Sequence, residues 1–286
     1  MQSVITYELD RLEKETIKKL TFDKSWAAKK ASEFSAVASN LLIDKEKYFK
    51  RLRKYFRENF RTMNKAAVLK IVNLPDESLE NPTVFCFLIT SILGTVVPEY
   101  NGGLWLKNVK LDQSLEGMIG RPSARDSRKF MLHTDLSYTD KPPPFFLFYC
   151  INTLTYMGGE SIIASIHQIE KNLSQEAFCE LQKDQFLFPV PEYCCNIGKF
   201  VKSSVLYKDD SNRLAIRYRR DGIKSRSRRA LDALAELNDV IMRCVEKVFS
   251  TNNSIIIFDN EHCLHGRTGF LEEKKSCRHM VQAYFT

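Results

Sequence analysis

A mainly β chain with added helices is the fold class this sequence predicts: a double-stranded β-helix, or jelly roll, with N-terminal helices and one helical insert. Three observations predict it. Beyond Tyr100, short β-branched and aromatic runs alternate with turn residues. The stretch Arg228 to Phe249 breaks that rhythm with helical spacing. Residues 4–63 contain neither glycine nor proline, and Leu9, Leu12, Ile17 and Leu20 recur on one helical face. Many short strands with interspersed helix suit a jelly roll.

The elements follow in order. Val4 to Met63 reads as helical, with Asp23 or Ser25 placed to cap a second helix near Trp26. Residues 1–65 are therefore set apart as an N-terminal helical buttress, and 66–286 as the main domain. Ala67 to Val72 is a strand stopped by Leu74-Pro75, and Asn81-Pro82 opens a helix that runs to Gly94. Strands are expected at Leu104 to Leu106, Phe145 to Ile151, Ser161 to Ile166, Leu214 to Tyr218, Ser254 to Phe258 and His279 to Phe285.

A chain of 286 residues with 44% apolar and 11% aromatic content supplies a full core. No run approaches the ~20 apolar residues of a membrane span, and no basic-then-apolar leader opens the chain, so a soluble, cytoplasmic protein is expected. None of the eight cysteines form a Cys-x-x-Cys pair, which argues for free thiols. The net charge of +8 is concentrated in Lys45 to Arg61 and Arg213 to Arg229. Because aromatic residues recur at helical spacing from Tyr48 to Phe56, the first cluster reads as the solvated face of an amphipathic helix, in preference to a nucleic-acid or anionic-lipid surface.

The chemistry lies elsewhere. In His133-Thr134-Asp135 the first and third residues share a face of an extended strand, so both can reach one metal. A third ligand must come from another of the five histidines. His262 and His265 are separated by an odd interval and point to opposite faces, and Gly266 favours His265 by allowing close backbone approach. His167, His262 and His279 read as surface or packing residues. Two imidazoles and one carboxylate on one face of iron leave three positions open, as a non-heme Fe(II) enzyme requires. A metal-chelating cosubstrate that ends in a carboxylate also needs a fixed cation, for which Arg278 is the candidate and Arg267 the competitor.

These residues resemble the Fe(II)- and 2-oxoglutarate-dependent oxygenases of the taurine dioxygenase type, including clavaminate synthase-like and γ-butyrobetaine hydroxylase-like enzymes. The matching pieces are His133 to Tyr138, Pro142-Pro143-Pro144, Gly158-Gly159-Glu160-Ser161 and Asp259 to Arg267, followed by Arg278. The resemblance covers about Ala66 to Thr286 and makes 66–286 a double-stranded β-helix oxygenase domain. It implies that His133, Asp135 and His265 hold iron, that Arg278 binds the distal carboxylate of 2-oxoglutarate, and that Ser161 stands where many relatives use threonine for that cosubstrate. With O2 it implies hydroxylation and release of succinate and CO2. The carboxylate at Asp135 favours hydroxylation over halogenation, since related halogenases lack it. Relatives often carry a second arginine, for an anionic substrate group, where this chain has Gln282, which argues against a sulfonate.

Candidate substrate residues are Ser123, Arg125, Asp126 and Ser127 before the metal strand, and Arg217, Tyr218, Arg219 and Asp221 after it. Alternation aims Arg217 and Arg219 to one face, where either could clamp a carboxylate. Ser127, Arg217, Arg219 and Asp221 form the expected substrate set. An amino acid or amino-acid-like small molecule is the leading substrate class. A nucleic-acid or protein-bound substrate docked on the basic helix and Lys224 to Arg229 is the alternative. A non-catalytic binding module ranks last, because all three metal ligands and Arg278 are present.

Overall fold

Two sheets lie face to face, and the residues that face one another between them decide where the site falls. The computed structural model describes residues 3–19, 46–62, 66–97, 106–110, 125–153, 157–191, 198–220, 222–271 and 278–286. The strands of the two principal sheets, numbered in chain order, are β1 Val4–Glu8, β2 Val68–Val72, β3 Val96–Val97, β4 Leu106–Lys110, β5 Phe130–His133 and β6 Phe145–Asn152. They continue with β7 Ser161–Ser165, β8 Glu246–Val248, β9 Ser254–Asp259, β10 Cys263–Arg267 and β11 His279–Phe285. The larger sheet runs β1-β2-β9-β6-β11-β3, with β4 also beside β11, and the smaller runs β8-β7-β10-β5.

Period-2 alternation is strict in the central strands of the larger sheet. Phe145, Leu147 and Tyr149 of β6, Ile255 and Ile257 of β9, and Val281, Ala283 and Phe285 of β11 enter one core, under helices. Their neighbours Phe146, Cys150, Ile256, Phe258, Met280 and Tyr284 enter the core between the sheets, where they meet Ile163, Val248 and Cys263 of the smaller sheet. Each fully buried large apolar side chain is worth roughly 1.5–3 kcal/mol. Phe146 and Phe258 stack at 4.8 Å on the floor of the inter-sheet space.

Helices α1 Arg11–Lys19, α2 Lys50–Phe56 and α3 Pro82–Leu93 contribute to the core on the outer face of the larger sheet. In the basic segment Phe49, Leu52, Phe56 and Phe60 are buried, while Lys47 and Lys50 are exposed, the amphipathic arrangement expected. Asn81 caps α3 by accepting from the Val84 amide at 3.3 Å. One expectation is corrected: Val4–Glu8 is not helical but pairs in parallel with β2. The proposed caps Asp23 and Ser25 and the expected strand residues Leu104 and Trp105 lie outside the described residues.

The outer face of the smaller sheet is covered by α4 Ile166–Asn172, α5 Gln175–Leu181 and α6 Arg228–Arg243, with two short hairpins, Phe186–Pro189 with Phe200–Ser203 and Leu206–Lys208 with Leu214–Ile216. Ser165, Ser174 and Ser227 cap the three helices. The helical insert is shorter than expected: it ends at Arg243, and Glu246–Val248 becomes the edge strand β8, paired with β7. The expected strand Leu214 to Tyr218 likewise stops at Ile216. Among the described residues no helix is long and apolar enough to cross a membrane.

Candidate metal centre

Strand pairing builds the first half of the site. In the antiparallel register His133 of β5 stands opposite His265 of β10, so both imidazoles project from the same face, toward the larger sheet. Their rings lie 4.3 Å apart, and His265 also packs 4.4 Å from the Phe146 ring. The close approach of β10 to β5 needs Gly266, where a Cβ would lie 2.6 Å from the Phe130 carbonyl oxygen and 3.1 Å from the Leu132 amide nitrogen. The Met131 carbonyl lies 2.8 Å from His133 Nδ1 and can only accept, so Nδ1 carries the proton and Nε2 keeps its lone pair for the site.

Asp135 arrives differently from the expectation that both residues of the triplet lie on a strand. β5 ends at His133, and Asp135 sits in a turn whose next residue, Leu136, adopts φ 53°. Asn260, in the tight connection between β9 and β10, holds this turn. Its Oδ1 accepts from the Asp135 amide at 2.8 Å, and its Nδ2 donates to the carbonyls of Asp135 at 3.1 Å and Pro143 at 2.8 Å. The Asp135 carboxylate then presents Oδ1 to both histidines, 3.2 Å from His133 Nε2 and 3.6 Å from His265 Nε2. Its Oδ2 accepts from Gln282 Nε2 at 2.7 Å and Tyr284 Oη at 3.2 Å.

One ligand atom from each of His133, Asp135 and His265 falls within 4.8 Å of the others, the cluster of this kind found among the described residues. Burial would raise the Asp135 carboxyl, but the two imidazoles beside it, His265 foremost, hold it well below the usual carboxylate range. Burial and neighbouring His133 depress His265 below its ordinary value. An ionised carboxylate beside a neutral imidazole is the protonation state a metal requires. The buried Nδ1 of His265 has no hydrogen-bond partner among the described residues. These residues fit a first-row metal such as Fe(II) bound by two imidazoles and one carboxylate.

The remaining expected residues separate by position. Arg219 forms an isolated antiparallel bridge with His133, which puts its side chain on the face of that imidazole. Tyr218 points toward α6, with its hydroxyl bonded to Asn238, and Arg220 reaches Met242 there. Arg217 is buried, donates to the Asp140 carbonyl at 2.8 Å, and is lowered from its ordinary pKa by burial. Arg278 is buried beside Met280, with Nη2 3.1 Å from the sulfur. Ser161 is buried on β7 opposite Arg267 in register. Arg267 binds backbone carbonyls at Asp126 and Arg128 and stacks over Phe270, a bracing position.

Ser127 is half-buried and accepts from the Phe270 amide through its carbonyl at 3.0 Å. Arg125 is exposed, and buried Asp126 binds Arg128. Ser123 and Asp221 lie outside the described residues. His262 turns away from the metal ligands to Asp259 and Asp209, His279 bonds Asn108, and half-buried His167 lies on α4. Sequence reasoning missed Asn260, Gln282 and Tyr284 as supports of Asp135. Their signal was a polar residue inside a buried turn and an amide at an inward position of an apolar strand.

A sequence comparison with curated proteins gives no match. The fold is shared with an asparagine oxygenase solved with Fe(II), 2S,3S-3-hydroxyasparagine and succinate, at 19% identity and TM-score 0.78 over 98% of this chain and 93% of that one. It is shared also with the non-heme iron oxygenase OrfP, solved with Fe, succinate and (3S)-hydroxy-L-Arg, at 13% identity and TM-score 0.80 over 99% and 94%. OrfP has also been solved with Fe and alpha-ketoglutaric acid, at 13% identity and TM-score 0.78 over the same shares. A family model, "Taurine catabolism dioxygenase TauD, TfdA family", matches residues 95–284, a span that contains His133, Asp135, His265 and Arg278, and the chain belongs to that dioxygenase family.

Proposed function

We propose that this protein is an Fe(II)- and 2-oxoglutarate-dependent hydroxylase of a free amino acid or a close analogue. The observation that carries the reading is the meeting of His133, Asp135 and His265 within 4.8 Å in a chain of the TauD/TfdA family. The amino-acid class is supported by the shared fold with proteins solved holding hydroxylated asparagine and hydroxylated arginine. When bound, iron would let the two oxygen atoms of O2 be divided between 2-oxoglutarate, which is oxidised to succinate and CO2, and the substrate, whose C–H becomes C–OH.

This chain's own residues do the rest. The clamped Asp135 and the fixed His133 tautomer hold the metal in one place. Arg278, the residue before β11, receives the distal carboxylate of 2-oxoglutarate in a buried position. Ser161 adds a hydroxyl from the facing sheet. Arg219, on the face of His133, anchors the substrate carboxylate. Phe146 and Phe258 floor the site with apolar surface that excludes water.

The two sheets are read as the halves of a double-stranded β-helix, with 1–65 as a buttress to 66–286; the burial of Phe49, Leu52, Phe56 and Phe60 in the core of the larger sheet supports this. The thiols of Cys86, Cys150, Cys179, Cys244 and Cys263, none in a disulfide, support a reducing cytoplasmic setting. The test is succinate formation from 2-oxoglutarate, O2 and Fe(II) across the twenty amino acids. At least one should raise succinate above the uncoupled rate and gain one oxygen atom by mass. A panel with no stimulation and no product would overturn the substrate class.

A further inference from the structure

We propose that Gln282 and Tyr284 are positioning residues that make Asp135 a one-oxygen ligand, so that strand β11 sets the denticity of the metal site. The inference rests on the proposed iron site and concerns how this chain holds it. Inward positions of β11 read Met280, Gln282, Tyr284, in a space otherwise filled by Phe146, Phe258 and Ile163. Gln282 and Tyr284 are both buried, and a buried amide or hydroxyl is costly there unless hydrogen-bonded. Both use the same acceptor. Gln282 Nε2 donates to Asp135 Oδ2 at 2.7 Å and Tyr284 Oη donates to it at 3.2 Å.

The consequence is an asymmetric carboxylate. Oδ2 is occupied by two donors, while Oδ1 faces the Nε2 atoms of His133 and His265 at 3.2 and 3.6 Å. For Asp135 to bind a metal through both oxygens it would have to break both bonds and leave a buried amide and hydroxyl unpaired. Oδ1 is therefore the ligand atom, and the position that Oδ2 would have taken stays open for exchangeable ligands. Because the Gln282 amide is engaged by Asp135, position 282 serves the metal ligand and does not present a cation to a substrate anion.

Outer partners of a metal ligand commonly govern 10–100-fold of affinity. The test uses the full chain and Co(II) alone, without cosubstrate or substrate, and compares wild type with Gln282→Met, which keeps length but cannot donate, and Tyr284→Phe, which loses only the hydroxyl. We expect Gln282→Met to bind Co(II) about 10–100-fold more weakly and Tyr284→Phe several-fold more weakly. Both should show altered visible d–d bands, while thermal melts of the metal-free chains stay close to wild type. A merely structural role would move the melt and leave affinity and spectrum alone, and that result overturns the proposal. If Gln282→Met does not fold, Tyr284→Phe decides alone: weaker binding with a changed spectrum supports the proposal, and unchanged binding overturns it. Wild type that binds no Co(II) would overturn the oxygenase reading and this inference together, whereas equal binding by all three overturns only the inference.

Discussion

Asn260 and Asp135 are joined by two reciprocal hydrogen bonds, Asp135 amide to Asn260 Oδ1 at 2.8 Å and Asn260 Nδ2 to the Asp135 carbonyl at 3.1 Å, across 125 positions of sequence. The carboxylate ligand follows a strand end, where backbone is otherwise free to turn, and this pairing fixes it. Asn260→Ala leaves three backbone groups without their partner, the buried Pro143 carbonyl and the part-buried amide and carbonyl of Asp135. A loss of about 3 kcal/mol in unfolding free energy is expected, at ~1–3 kcal/mol for each unsatisfied group with partial relaxation. Urea unfolding measures it, and metal affinity should fall in parallel.

Gly266 provides a second test of how the histidines meet. An alanine Cβ would press on the Phe130 carbonyl and the Leu132 amide, both backbone and unable to swing aside. Gly266→Ala should cost about 1–3 kcal/mol, as overpacking does, and should weaken metal binding by moving β10 off β5. Stability and metal affinity equal to wild type would show that the strands have room the geometry denies.

The buried imidazole of His262 lies between Asp259 Oδ1, at 2.8 Å, and Asp209 Oδ2, at 3.4 Å. Burial opposes its protonation, but the carboxylate of Asp259, helped by Asp209 and opposed by Arg213, raises it above its ordinary value. A raised folded-state value means the stabilisation is fully present below the unfolded value of about 6.5 and is lost as pH rises through the folded one. Neighbouring Glu261 is also raised, by burial and Asp259, and has the same sign, but its window opens in the carboxylate range. Unfolding free energy should therefore decline from pH 6.5 upward, and His262→Gln should flatten that decline in pH-dependent denaturation.

Arg219 and Arg217 should divide kinetically. Arg219→Ala should raise KM for the amino-acid substrate about 10–100-fold, the loss of a charge-assisted hydrogen bond of ~1.5–3 kcal/mol, while leaving 2-oxoglutarate affinity intact. Arg217→Ala removes the donor to the Asp140 carbonyl and should mainly lower the melting temperature. The reverse pattern in steady-state kinetics would exchange the two roles.

The features legible in the sequence were those written in short-range pattern. The alternation of Phe145 to Ile151 and His279 to Phe285, the Asn81-Pro82 helix start and the His133/His265 pair all survive in three dimensions. What was missed depends on distant pairing or on brevity. Val4–Glu8 carries apolar residues that suit a helix start, and only its alignment with Val68–Val72 makes it a strand. Glu246–Val248 continues a helical pattern yet is taken by the edge of β7. The seven-residue helices Ile166–Asn172 and Gln175–Leu181 are too short to display a period. Gln282 drew notice for the arginine it replaces, but its bond to Asp135 joins β11 to a turn after β5, a relation no local spacing encodes.

The most direct measurement is anaerobic titration of wild type, His133→Ala and Arg278→Ala with Fe(II) and then 2-oxoglutarate, followed by the visible charge-transfer band. The account expects a band in wild type, none in His133→Ala, and a band in Arg278→Ala that needs much more 2-oxoglutarate to saturate. A wild-type chain that binds Fe(II) and 2-oxoglutarate with no band, or a His133→Ala chain that keeps it, would contradict the assignment of His133, Asp135 and His265 as the iron site.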